Sequence, residues 1–135
     1  MSDLVYVDTS AVLRAVLERG VSAAIEKRIG QARHLMTSRL SLLESARALN
    51  RLRQEGVAET VLADAGREAD SIFARCVLWE MTATVCDLAA QVAPQRPLRT
   101  LDAIHLATYA LARRRLGDVE LLTADRRLEE AARSA

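Results

Sequence analysis

Cysteine is nearly absent from this sequence of 135 residues: Cys76 and Cys86 are too few for a disulfide framework, and with only two histidines they make a poor zinc set. Glycine occurs five times and proline twice, at 94 and 97, so no linker, repeat or low-complexity tract interrupts the chain. Only four aromatics are present (Tyr6, Phe73, Trp79, Tyr109), which argues against a base-stacking platform for single strands. Lysine occurs once, at 27, beside eighteen arginines, so a mechanism that needs a catalytic lysine has one candidate. The longest run without a formal charge, Ala103–Ala112, is ten residues, where a membrane helix needs about 20. Asp3 and Asp8 bracket the first apolar stretch, with no basic start, so no secretory leader is expected and the cytoplasm is the expected address.

Half of the residues are apolar, and 19 basic residues stand against 18 acidic ones. That composition excludes intrinsic disorder and gives no global signature of nucleic-acid binding, although a local arginine patch remains open. The length suits a single domain over residues 1–135.

Leu4–Val7 is a continuous apolar run that stops at Asp8-Thr9-Ser10, the pattern of a strand buried on both faces and followed by a helix start. Helical pattern continues to about residue 30, as one helix or as two broken near Gly20. His34–Thr37 reads as a short strand. Leu40, Leu43, Ala46 and Leu49 then recur at helical spacing, with Gly56 as the stop. A long helix is expected over Val57–Arg75, with Val61, Leu62, Ala65, Ala69, Ile72 and Phe73 on one side, then a strand over Val77–Met81 and a helix over Thr84–Ala93. Pro94–Pro97 forces a loop. Leu101–Leu116 reads as a helix capped by Thr100, Val119–Thr123 as a strand and Ala124–Arg133 as the closing helix. Strands alternating with helices mean an α/β fold with a parallel sheet and helices on both faces.

Ligands in such a sheet bind beyond the carboxyl ends of the strands. Asp8 follows the first strand directly, Asp125 lies just past the last one, and Asp102 opens a helix facing the same way. Glu44 lies within a helix near Leu40 and Leu43. Each has a plain alternative: Asp8 and Asp125 as helix caps, Asp102 as a charge on the macrodipole, Glu44 as an ion pair with Arg47. His105, one turn after Asp102, reads as a satisfied imidazole rather than a ligand. Four converging carboxylates would raise one another's pKa values and destabilise the fold unless a cation sat among them. Without thiolates or paired histidines, that cation is a hard one, Mg²⁺ or Mn²⁺, suited to phosphate-ester chemistry.

Val5-Tyr6-Val7-Asp8-Thr9-Ser10-Ala11, the helix-borne Glu44, Arg99-Thr100-Leu101-Asp102-Ala103-Ile104-His105-Leu106-Ala107 and Leu121-Leu122-Thr123-Ala124-Asp125 together resemble the PIN-domain nucleases, and among them the VapC-type toxins of toxin–antitoxin pairs. The resemblance implies a PIN-like three-layer fold with a central, mostly parallel sheet flanked by helices. It also implies a metal-dependent endoribonuclease of structured RNA, tRNA or rRNA. The family's acidic quartet falls on Asp8, Glu44, Asp102 and Asp125, which would bind Mg²⁺ or Mn²⁺, with Asp8 and Asp102 as the most direct ligands and Ser10 and Thr123 as supporting hydroxyls. Attack by metal-activated water would leave 5′-phosphate and 3′-hydroxyl ends. The partners implied are a second copy of the chain, in a homodimer, and a VapB-type antitoxin that places a basic side chain in the acidic site.

Arg14, Arg19, Arg39 and Arg113–Arg115 are candidates for a phosphate-contacting rim. Three other readings stand beside the toxin: a housekeeping RNA-processing nuclease, a non-catalytic module whose acidic pocket binds a partner's arginine, and an aspartyl-phosphate enzyme. The last chemistry wants a lysine by the phosphoryl group and a second acid at the first strand, whereas position 10 is serine and Lys27 is far from any strand end.

Overall fold

The computed structural model describes residues 2–134, and among them the elements run β1 (Leu4–Val7), α1 (Thr9–Leu17), α2 (Ala23–Gln31), β2 (His34–Ser38), α3 (Arg39–Gln54), α4 (Glu59–Ala74), β3 (Cys76–Trp79), α5 (Ala83–Ala89), α6 (Thr100–Leu116), β4 (Val119–Leu122) and α7 (Arg126–Arg133). All four strands are parallel, in the order β3-β2-β1-β4, with Tyr6 beside Met36 on one side and Leu121 on the other. Parallel neighbours need long crossovers, and here each crossover is helical. No helix of the described residues is long and apolar enough to cross a membrane.

Side chains of a strand alternate between faces, and β1 uses both. Val5 and Val7, with Leu35, pack on α1 (Val12, Ala15, Val16), Ile29 of α2 and α4 (Ala65, Ala69, Phe73). Tyr6, with Met36 and Val119, packs on α6 (Leu106, Tyr109, Ala112) and α7 (Leu128, Ala131). Burial on both faces is why the strand is apolar without alternation. A third cluster joins Val85 of α5 to Ile104, Ala107 and Leu111 of α6. Caught between the sheet and α5, α6 is buried at every position from Ile104 to Tyr109. Leu106 is fully buried there, so Leu106→Ala should lower stability by about 3 kcal/mol. Urea midpoints of the two proteins would check this, and a loss under about 1 kcal/mol would contradict the packing described.

Several boundaries differ from the sequence expectation. β3 starts one residue earlier, at Cys76, and ends at Trp79. α5 is only Ala83–Ala89, capped by Thr82, whose hydroxyl oxygen accepts from Val85 N at 3.2 Å. Thr100 lies inside α6, and Arg99 holds the cap position without a side-chain bond. Thr123 and Asp125 lie between β4 and α7, not within them. α1 and α2 are separate, with Gly20 at φ 81° between them, a conformation that glycine adopts without strain. The large apolar residues also misplaced one stripe. On α3 the buried positions are Ser41, Ser45 and Ala48, while Leu43 is 59% exposed. Small residues let α3 approach its neighbours, and Ser41 Oγ hydrogen-bonds Thr37 Oγ1 at 2.7 Å. On α4, Val61 is likewise exposed.

The strand order places the site. From β1 the chain steps outward to β2 and β3, then returns across to β4 on the other side of β1. The connections leaving β1 and β4 therefore part in opposite directions, which opens a crevice at their carboxyl ends.

Candidate active site

Three consecutive residues after β1 make separate connections. Asp8, 3% exposed, is the N-cap of α1, its Oδ1 accepting from Ala11 N at 3.0 Å. Ser10 Oγ donates to the same carboxylate, at 2.8 Å from Oδ1, and Thr123 Oγ1 donates to Oδ2 at 2.8 Å. These two hydroxyls then accept from the turn after β4: Ala124 N reaches Ser10 Oγ and Asp125 N reaches Thr123 Oγ1, each at 3.0 Å. Asp8 and Asp125 are thus fixed relative to each other by Ser10 and Thr123, with Asp8 N bonded to Leu122 O at 3.2 Å beneath them. Burial pushes the Asp8 carboxyl up from its ordinary value, against the opposing pull of the Ala11, Ser10 and Thr123 donors.

Thr9 turns the other way. Its hydroxyl donates to Glu44 Oε1 at 2.6 Å, and His105 Nε2 contacts the same oxygen at 2.7 Å. On the far side of the imidazole, Nδ1 lies 2.8 Å from Tyr6 Oη. A carboxylate only accepts, so His105 is protonated on Nε2 where it meets Glu44. Burial would raise Glu44, yet the bonds from His105 and Thr9 outweigh it and hold the carboxyl below the ordinary range. Burial and the charge of Asp8 hold the Tyr6 phenol well above its ordinary value, so it stays neutral. Glu44 makes no ion pair with Arg47, as the plain alternative required; it faces inward to α1 and α6.

Asp102, in the first turn of α6, is raised by burial and then by the charge of Asp125, with Glu44 adding to the effect and Arg99 opposing it from 3.6 Å. Asp125 caps α7, its Oδ1 accepting from Arg127 N and Leu128 N at 2.8 and 3.3 Å. The capping roles foreseen for Asp8 and Asp125 are therefore real, and they occupy only part of each carboxylate. All four acids stand on one edge of the fold. Among the described residues, however, no three acidic, histidine or cysteine side chains close into a group that holds an ion as they stand. The donor set still suits a hard divalent cation: it is all oxygen, backed by hydroxyls, and burial raises two of its members, Asp8 and Asp102, above the ordinary carboxylate value. Magnesium is commonly held by one or two carboxylates together with water and substrate phosphate, so a closed cage is not required.

Sequence reasoning named Ser10 and Thr123 but missed Thr9 and Tyr6 as supports, and read His105 only as a satisfied imidazole, in the core or on the surface. His105 is in the core, 2% exposed, and also grips Glu44. A histidine one turn after an acid on the same helix was the available signal. The arginine rim does not form as expected. Arg14 pairs with Glu18, Arg19 with Glu68 and Arg39 with Glu80. Arg113–Arg115 lie in the last turn of α6, about 16–20 Å along the axis from Asp102, with Arg113 over Tyr109 and Arg115 over Trp79.

Comparison with known proteins gives a consistent picture. Residues 5–134 match the family model described as the PIN domain. Ribonuclease VapC45 of Mycobacterium tuberculosis (strain CDC 1551 / Oshkosh) is 36% identical over 135 residues, which covers 98% of this chain and 91% of that protein. The crystal structure of PAE2754 from Pyrobaculum aerophilum matches with a TM-score of 0.69 and 25% identity, over 98% of this chain and 81% of the other. That of Mycobacterium tuberculosis VapC20, a sarcin-ricin loop cleaving toxin, matches with a TM-score of 0.67 and 18% identity over 94% of each chain.

Proposed function

The chain belongs to the PIN domain family, and from that premise we propose that it is a Mg²⁺- or Mn²⁺-dependent endoribonuclease that serves in the cytoplasm as the toxin of a toxin–antitoxin pair. Its acidic centre is Asp8, Glu44, Asp102 and Asp125, and its substrate is structured RNA, tRNA or rRNA. The observation that carries this reading is the acidic edge at the β1–β4 crevice, where burial raises both Asp8 and Asp102 and the charges of Asp125 and Glu44 raise Asp102 further. The ribonuclease relative, aligned over nearly the whole chain, supports the same chemistry.

Asp8 and Asp102 would hold the cation, with Asp125 and Glu44 beside them. When bound, a divalent cation neutralises charge on the phosphodiester and lowers the pKa of water. The chain's own residues prepare the site for that. Ser10 and Thr123 fix the Asp8 carboxylate, and Thr9 and His105 keep Glu44 ionised and therefore able to accept a proton. Hydrolysis leaves 5′-phosphate and 3′-hydroxyl ends. The active form is a homodimer, and the acidic edge also receives a basic side chain of a VapB-type antitoxin.

Induced expression in a bacterial host should arrest growth, and Asp8→Asn at the same protein level should not. Co-expression of the small protein encoded beside the chain should relieve the arrest. Normal growth at a confirmed level of soluble parent protein would contradict the toxin role.

A further inference from the structure

An acidic centre repels the polyanion it is meant to cut, so cations must flank it, and the arginines named from sequence are paired or remote. The described structure offers others. Beyond Glu44, α3 carries Arg47 and Arg51 at positions i+3 and i+7, on the same helix face and about 6 Å apart along the axis. Both are exposed, and among the described residues neither makes an ion pair; Arg53 on the adjoining face is joined to Glu59. Arg47 and Arg51 line a groove of about 530 Å³ with Glu44, Asn50, Gln54 and Leu101. The groove begins at a carboxylate of the acidic edge, and its opposite wall is Leu101, 46% exposed and next in sequence to Asp102.

We propose that this face of α3, from Glu44 to Gln54, is a phosphate track on which Arg47 and Arg51 hold the RNA backbone beside the cleaved linkage. The proposal rests on the nuclease reading of the acidic edge. Guanidinium groups match phosphate oxygens with two parallel donors, and the amides of Asn50 and Gln54 supply the neutral donors usual for backbone contacts. Leu101 gives an apolar wall for a ribose or base edge. The track accounts for RNA binding in a chain of net charge +1 with four aromatics, because it needs local charge and no stacking.

The test reads binding apart from cleavage. A fluorescent tRNA pool is titrated in EDTA, at graded KCl, with the parent, Arg47→Ala/Arg51→Ala and Arg113→Ala/Arg114→Ala. Loss of two phosphate contacts should flatten the slope of log affinity against log salt by roughly 1.4 to 1.8. Affinity at low salt should fall at least about tenfold. In Mg²⁺ the α3 variant should show a raised KM and a kcat within about twofold of the parent, the pattern of lost uniform binding. The Arg113/Arg114 variant should match the parent throughout. The track is overturned if the α3 variant keeps the parental slope, if both variants lose slope equally, or if the parent does not bind the RNA. It is also overturned if the α3 substitutions abolish binding of polyglutamate and leave RNA binding intact, which would make the groove a protein-docking site. A parent that binds through the track but never cuts in Mg²⁺ or Mn²⁺ would sink the nuclease reading and leave the track standing.

Discussion

Replacing Asp102 with asparagine is expected to slow RNA cleavage at least about a hundredfold, and at the same time to raise the stability of the metal-free protein at neutral pH. The two effects have one cause. Asp102 is raised by burial and by the charges of Asp125 and Glu44, so its ionised form is disfavoured in the folded state. A carboxyl with a folded pKa above its unfolded one holds its proton more tightly when folded. Stability therefore falls as pH rises from the unfolded value through the folded one, and stays reduced above both. Asparagine removes that penalty. It also removes a favourable charge at the start of α6 and the pair with Arg99, whose side chain is 82% exposed; both are small terms. Calorimetry in EDTA should show a higher Tm for the variant at pH 7, with the advantage gone below the ordinary aspartate pKa. Parental cleavage by the variant, or a loss of activity accompanied by a lower Tm at pH 7, would refute the role of Asp102.

His105→Ala should act on stability and turnover together. The change empties a fully buried site and leaves Tyr6 Oη without its imidazole partner, a loss of about 3 kcal/mol. It also strips Glu44 of one of its two donors. Partners of this kind, which orient a ligand without touching substrate, are worth about 10- to 100-fold in activity or metal affinity. Glutamine places an amide nitrogen close to the position of Nε2, so His105→Gln should recover much of the turnover while recovering less of the stability. Circular dichroism would first establish a temperature at which every variant is folded, and single-turnover cleavage and Mn²⁺ titration would follow there. Equal turnover and metal affinity in the alanine variant and the parent would show that His105 only fills space.

Much of the candidate site was legible because its residues sit where the pattern changes. Asp8 ends an apolar run, Asp102 opens a helix and Asp125 follows a strand, and such punctuation survives without any knowledge of packing. The strand sequence also carried the layer arrangement, since Leu4–Val7 could be apolar throughout only if both faces were covered. Glu44 was harder. Its direction depends on which face of α3 is buried, and that face is made of Ser41, Ser45 and Ala48, residues that a search for large apolar side chains passes over. The grip of Thr9 and His105 on it joins positions 35 and 61 residues away, and no local spacing encodes that. The arginine rim was misread for a related reason. Proximity to phosphate is set by which end of a helix faces the crevice and by which guanidinium groups are already paired, and both are tertiary facts.

The most direct test incubates the purified, antitoxin-free protein with total cellular RNA in Mg²⁺ and in Mn²⁺, beside its Asp8→Asn variant. Asn still caps a helix, so the variant should fold. The expected result is a small set of discrete fragments bearing 5′-phosphates, made only by the parent and abolished by EDTA. RNA left intact by folded parent in both metals, or fragments that persist in EDTA or with Asp8→Asn, would contradict a metal-dependent nuclease built on this acidic edge.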